Sequence, residues 1–295
     1  MGYLLLFIAL FAGTAKGYCG KKTSNYTKGL GDAIFANIIR MLLCVLIGFV
    51  LLLVTGDLNS LIPSRIMLLI CVLSGVSTAI FVVTWLISVK KSAYMMLDIF
   101  LMLGVLIPLV ASSIFFNEVI KLSQWLGIAV LFAAVVLICS YNNSIKAKLT
   151  PASFILLIIC GAANGIADFS QKLFMKCIPG GSAAAFNFYT YLFAALTLLI
   201  AFAVMRKTGK NPDKSNMKPI LGLILIMSVC LFVNSYFKTL AAEHLGAVLL
   251  YPLNQGCALI LSAVMAAVLF KEKLTVKAII GIITAFAGLL IINLI

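Results

Sequence analysis

The sequence predicts an all-α, polytopic membrane protein whose ten transmembrane helices form two inverted five-helix repeats. Three observations carry that prediction. Apolar residues make up 64% of the chain and charged residues 10%, whereas a soluble domain carries about 25% charged residues. Apolar runs of the roughly 20 residues that a spanning helix needs cover almost the whole length. The C-terminal stretch also repeats an earlier one.

From Phe116 the chain reads Phe-Asn-Glu-Val-Ile-Lys-Leu-Ser-Gln-Trp-Leu-Gly-Ile, and from Phe270 it reads Phe-Lys-Glu-Lys-Leu-Thr-Val-Lys-Ala-Ile-Ile-Gly-Ile. At one constant offset Glu118 falls on Glu272, Gly127 on Gly281, Phe132 on Phe286 and, further back, Ala93 on Ala247. Each copy is a long apolar run, a short charged elbow and a second apolar run. The expected repeats are 1–145 and 146–295. Five crossings per copy place the second copy upside down in the membrane. That is the plan of many secondary transporters, with the substrate near the midplane between the repeats.

The expected spans are Tyr3–Gly20, Ala33–Val54, Ser64–Val89, Ala93–Phe116 and Leu122–Tyr141 in the first repeat. In the second they are Pro151–Lys176, Ala183–Met205, Met217–Ala242, Gly246–Phe270 and Thr275–Leu294. Met1–Gly17 lacks the basic start of a signal peptide and has a partner segment in the second copy, so it is read as a span. Pro151 suits the first turn of a helix after a Thr150 cap. Gly209, Pro212 and Asp213 mark the longest loop, Arg206–Asn216, as a breaker cluster. The eight cysteines show no Cys-x-x-Cys or Cys/His spacing, and His244 is the single histidine. They read as packing residues, and neither a metal nor a cofactor is expected.

Basic residues sort by side. Lys21, Lys22, Lys28, Lys90, Lys91, Lys146, Lys148, Arg206, Lys207, Lys210, Lys214, Lys218, Lys271, Lys273 and Lys277 fall in odd-numbered connections; Arg65, Lys121 and Lys176 fall in even-numbered ones. Basic loops stay in the cytoplasm, so this bias places both termini outside. The net charge of +14 is then mostly a topology signal and not a nucleic-acid footprint. The expected partners are the lipid bilayer and a small-molecule substrate. The expected location is a bacterial inner (cell) membrane, and the chain is either a monomer or a homodimer.

Small residues mark close helix contacts. Gly13/Gly17 and Gly161/Gly165 are Gly-xxx-Gly pairs in the first helix of each repeat. Gly127/Ala134 and Gly281/Gly288 form seven-residue stripes in the last helices, packed internally or forming a dimer seam.

Each charge in a span needs a partner, a wet cavity or a function, because at the bilayer centre it costs about 2.5–3.5 kcal/mol. Asn164, Asp168, Gln171 and Lys172 form one polar face of the sixth span, where Asp168 precedes Lys172 by four residues, the favourable order for an ion pair. The two either neutralise each other, or Asp168 is contested by a substrate cation or a proton. Asp98, with Tyr94 one turn before it, is unpaired along its helix and is a candidate proton carrier if it faces the cavity. Arg40 and Lys238 lie deep in the second and eighth spans; an arginine fork suits carboxylate or phosphate, whereas a lysine can snorkel. With Lys16 and Lys172 they give four cations against two carboxylates, a balance favouring anionic or zwitterionic substrates. Tyr251-Pro252-Leu253-Asn254-Gln255-Gly256 interrupts the ninth span, where Pro252 leaves a carbonyl free to line a cavity. Tyr189, Tyr191 and Trp85 are candidate aromatic walls.

With its paired Phe-x-Glu…Gly-Ile elbows, the chain resembles a ten-helix EamA-type member of the drug/metabolite transporter superfamily. Each five-helix half of that family ends in a Phe-x-Gly-Glu-type elbow; here Asn117 and Lys271 stand where glycine is usual. Arg40-Met41-Leu42 resembles the family's arginine early in its second helix. The resemblance covers the whole chain. It implies alternating access around a central cavity, by proton coupling or exchange, and cytoplasmic termini, against the loop charges. Small multidrug relatives use a glutamate in their first helix, where this chain has Lys16.

The expected function is a secondary active transporter of a small polar, anionic or zwitterionic metabolite, and not an enzyme. Arg40 and Lys172 would meet the negative group, Asp98 or Asp168 would carry coupling protons, and Asn164, Tyr191, Tyr251, Asn254 and Gln255 would orient the substrate. The alternatives are an exporter of cationic or lipophilic drugs and a non-transporting membrane assembly factor.

Overall fold

The computed structural model describes residues 1–27, 29–91, 94–139, 150–207, 220–269 and 276–294. The helices are α1 (Gly2–Ser24), α2 (Leu30–Thr55), α3 (Arg65–Lys91), α4 (Tyr94–Gly104), α5 (Leu106–Phe116) and α6 (Leu122–Cys139), then α7 (Pro151–Cys177), α8 (Ala183–Lys207), α9 (Leu221–His244), α10 (Ala247–Leu269) and α11 (Val276–Leu294). Among the described residues they make ten crossings, because α4 and α5 are two parts of one. At 1.5 Å per residue, the 27 residues of α3 run about 40 Å, enough for a tilted passage through about 30 Å of hydrocarbon. Six helices are long and apolar enough to span alone, and four shorter apolar helices accompany them. The expected repeat boundary near 145 and the second elbow, 270–275, lie outside the described residues.

Local rules account for several ends. Thr150 caps α7, its Oγ1 accepting the Ser153 N–H at 3.2 Å with Pro151 at the first position, as the sequence predicts. Gly56 closes α2 at φ +70°, a left-handed conformation that costs glycine little.

The fourth span departs from expectation. It breaks at Val105 into α4 and α5, where the sequence reads as one helix from 93 to 116. Pro108 supplies no N–H to the Gly104 carbonyl, and Gly104 lies against the α7 backbone. A Cβ on Gly104 would sit 2.1 Å from the Gly161 carbonyl oxygen, one on Gly161 equally close to the Phe100 oxygen, and one on Gly165 2.2 Å from the Gly104 oxygen. The Gly-xxx-Gly pair of α7 is therefore a backbone-to-backbone seam with α4. Its counterpart in α1 does something else: a Cβ on Gly13 would meet the Asn234 amide at 3.0 Å. In the ninth span α10 runs unbroken through Pro252. Pro252 has no N–H for the Val248 carbonyl one turn back, and Val248 is not among the residues lining the cavity described below.

Packing partners exchange when the two repeats are exchanged. α1 packs on α9 and α3 on α7; α2 packs on α8 and α6 on α11. The directions fit inversion. Gly48 of α2 abuts Phe188 of α8, and Ile34 joins Leu198 in one core cluster, so these equivalent helices run antiparallel. Likewise Gly127 abuts Ile292, and Gly288 abuts Leu131. The glycine stripes of the last helices are thus consumed inside the chain. The repeats interlock: every helix but α10, which packs most on α11, has its main neighbour in the other copy.

Overpacking a tight contact costs about 1–3 kcal/mol. Gly161→Ala is therefore expected to lower the melting temperature in detergent by several degrees. Gly222→Ala, with nothing within 4 Å of its added Cβ, should leave it unchanged or raised. Equal melting of the two variants would contradict the seam.

Candidate functional site

A cavity of about 90 Å³ lies between the repeats, lined by helices of both. Each helix contributes a stripe one turn apart, as helical periodicity requires. α1 gives Leu10, Gly13, Thr14 and Gly17, with Lys16 beside them; α3 gives Phe81 and Trp85; α9 gives Asn234 and Lys238; α10 gives Asn254, Gln255, Ala258 and Ser262. α4 adds Leu101 and α7 adds Asn164. The space accepts several waters or a compact polar headgroup.

The charges are distributed unevenly. Lys238 and Asp168 form an ion pair, Nζ to Oδ1 at 2.5 Å, with both side chains nearly fully buried. Asn164 donates to the other oxygen of Asp168 at 3.4 Å. Lys16 has no ion-pair partner among the described residues. Its ammonium stands 5.9 Å from the centre of the Phe81 ring, a weakly favourable cation–π placement. Arg40 is a charged neighbour of Lys16, but it is buried behind the wall: Nη1 donates to Asn37 Oδ1 at 3.1 Å, and its Nε has no partner. On the opposite side of the balance, Asn254 Oδ1 is buried without a donor on a residue that lines the cavity.

Five of the predicted site residues are thus together at or beside the cavity: Asn164, Asp168, Lys238, Asn254 and Gln255. Four are elsewhere. Arg40 sits behind the cavity wall, as above. Lys172 and Asp168 do not pair along α7. Instead Lys172 turns away from the cavity and donates to the carbonyls of Ala242 at 2.9 Å and Leu245 at 2.6 Å, with Glu118 at 3.4 Å. The physical reason is reach: α9 brings Lys238 to Asp168, while the end of α9 presents free carbonyls to Lys172. Tyr191 is buried with its hydroxyl on the Leu231 carbonyl at 3.3 Å, and Tyr251 gives its hydroxyl to the Asp168 carbonyl at 2.5 Å; neither lines the cavity. Tyr94 and Asp98 belong to α4, and their side chains lie outside the described residues. Of the candidate walls, Trp85 lines the cavity, whereas the Tyr189 hydroxyl bonds the Leu61 carbonyl at 2.8 Å, away from it. Sequence reasoning gave Lys16 only a supporting part and overlooked Phe81; their one-sided stripe with Gly13 and Gly17 was the available signal.

Comparison with known proteins follows the same lines. Residues 151–294 match the EamA-like transporter family. Over 106 residues the chain is 26% identical to the quaternary ammonium compound-resistance protein QacC of Staphylococcus aureus, covering 36% of this chain and 94% of that protein. It is 28% identical over 105 residues to QacG of Staphylococcus sp. (strain ST94), covering 36% and 92%. A solved crystal structure shares the fold at a TM-score of 0.78 and 12% identity, over 99% of this chain and 96% of the other. Residues 151–294 thus form an EamA-like transporter domain, and with apolar helices throughout, the chain is a multi-pass integral membrane protein.

Proposed function

We propose that this transporter moves a small anionic or zwitterionic metabolite through the cavity between its repeats by alternating access. The observation that carries the reading is Lys16: an ammonium lining the cavity, unpaired among the described residues. A charge within a membrane is rare and marks a substrate pathway by default. Lys238 is a second cation at the wall, held by Asp168 until an incoming anion competes for it. Arg40 adds positive potential from behind. Among the described side chains near the cavity, three cations face one carboxylate, so an anion is stabilised there and a cation is repelled. The unsatisfied Asn254 Oδ1 suits a substrate that also donates, as an ammonium or hydroxyl does. Coupling is by exchange or by a proton on Asp168, vacated when Lys238 turns to the substrate. Its described side chains are read as lining a passage and not an active site. With its glycine stripes occupied internally, the chain is read as a functional monomer.

A second reading follows from the names of the staphylococcal relatives: export of quaternary ammonium compounds. A pathway for such cations would favour an unpaired carboxylate at the centre, whereas the described side chain there is Lys16. The two readings separate in proteoliposomes. Charge-assisted contacts contribute about 1.5–3 kcal/mol, so Lys16→Gln is expected to weaken the apparent affinity for small carboxylates about tenfold or more. Unchanged carboxylate uptake, or transport of quaternary ammonium ions by the parent protein, would contradict the anionic reading. Asn254→Leu should impair uptake of amino acids more than that of simple carboxylates. Equal impairment of both would remove the donor-binding role of Asn254.

A further inference from the structure

On the side of the even-numbered connections, four helices converge on a residue with no part in the cavity. Asn117 ends α5 in the left-handed conformation, φ 52° and ψ 32°, the single non-glycine residue with positive φ among those described. That turn delivers Glu118 across to the second repeat. Its Oε2 accepts the N–H of Ala247, the first residue of α10, at 2.8 Å. Its Oε1 lies 3.4 Å from Lys172 Nζ and 3.6 Å from Lys176 Nζ. Lys172, nearly fully buried, also holds the last carbonyls of α9. One carboxylate and one ammonium thereby tie α5, α7, α9 and α10 together.

One turn deeper on α7, the same helical face carries Asp168, bound to Lys238 at the cavity wall. Asp168 and Lys172 stand four residues apart, the spacing at which an acid and a following base meet along a helix. They do not pair here because each has a partner on another element. Freed of Lys238, Asp168 would have Lys172 as the cation one turn away on its own helix.

We propose that Glu118 is the clasp holding this face shut, and that an anion at Lys238 releases it by letting Asp168 draw Lys172 away. Every buried charge keeps a partner through the exchange, which is what a low-dielectric interior demands. Lys238 passes from Asp168 to the substrate, Lys172 from Glu118 to Asp168, and Glu118 keeps the half-exposed Lys176. The carbonyls of Ala242 and Leu245 lose their donor as the face opens to water. The inference rests on the cavity being the substrate site. Its clasp is nevertheless testable without any substrate.

Spin labels at Val119 and Glu243, both exposed, straddle the clasp. In a cysteine-free background in lipid nanodiscs, their distance distribution measured by pulsed electron resonance should be narrow for the parent protein. Glu118→Gln keeps the size and an acceptor for the Ala247 N–H but loses the charge, and should lengthen the distance by several ångströms. Asp168→Asn cannot attract Lys172, and should keep the short distance. A Glu118→Gln distribution superimposable on the parent's would overturn the clasp. A long distance in Asp168→Asn would overturn its link to the cavity. Should Glu118→Gln fail to fold, Lys172→Gln disarms the clasp from the other side and is read in the same way. Failure of the anionic reading would appear separately, in the carboxylate uptake of Lys16→Gln.

Discussion

A charge buried in hydrocarbon must find a partner or do work, and the Asp168–Lys238 pair is where this chain meets that demand most directly. The pair joins α7 to α9 across the middle of the molecule, at a 2.5 Å separation with both side chains enclosed. Around it the backbone is also satisfied from within: Tyr251 bonds the Asp168 carbonyl, and Lys172 bonds the carbonyls that end α9. Bilayers allow no other arrangement, since an orphan polar group in lipid costs several kcal/mol. What is left unpaired is therefore informative. Among the described residues, Lys16, the Arg40 Nε and the Asn254 Oδ1 are at or near the cavity, whereas Gln171 Oε1 and Asn187 Oδ1 lack a partner outside its lining.

The packing of the helices sets what can move. Eight helices take one another as main neighbours across the repeats: α1 pairs with α9, α3 with α7, α2 with α8 and α6 with α11. Two sequence halves rocking as rigid blocks would have to shear the α4–α7 seam, where Gly104, Gly161 and Gly165 bring backbones into direct contact. Glycine seams of that kind resist separation but tolerate sliding and tilting. A transport cycle is better accommodated by small tilts of interlocked helix pairs, opening one face while the other closes.

Much of this was legible in the sequence. Apolar runs gave the spans, the repeated elbow gave the duplication, and counting crossings gave the inversion seen in the antiparallel α2–α8 and α6–α11 pairs. The Thr150 cap and the polar stripe of α7 were readable for the same reason: they follow from periodicity within one helix. Partners across helices were not. Pairing Asp168 with Lys172 used a local rule worth about 0.2–0.5 kcal/mol on an exposed helix, and the approach of α9 outweighs it. Arg40 read as a cavity cation because depth along a helix is visible in a sequence, whereas the direction it faces depends on neighbours. Pro252 stood out as the polar interruption of its span, whereas the helix that divides is the one carrying Pro108, where Gly104 lies against a neighbouring backbone. Glu118 was seen as half of a repeat and not as a contact, since its partners Ala247 and Lys172 are far away in sequence.

In the proposed function the chamber between the repeats prefers negative charge. The most direct measurement is the melting shift of the purified protein at constant ionic strength, against small carboxylates, amino acids and quaternary ammonium ions. A ligand at 100 times its dissociation constant adds about 2.7 kcal/mol to the folded state, a shift of a few degrees for a chain of this size. A chamber that prefers anions is stabilised by at least one carboxylate or amino acid and not by the quaternary ammonium ions. Stabilisation by the ammonium ions alone would contradict it.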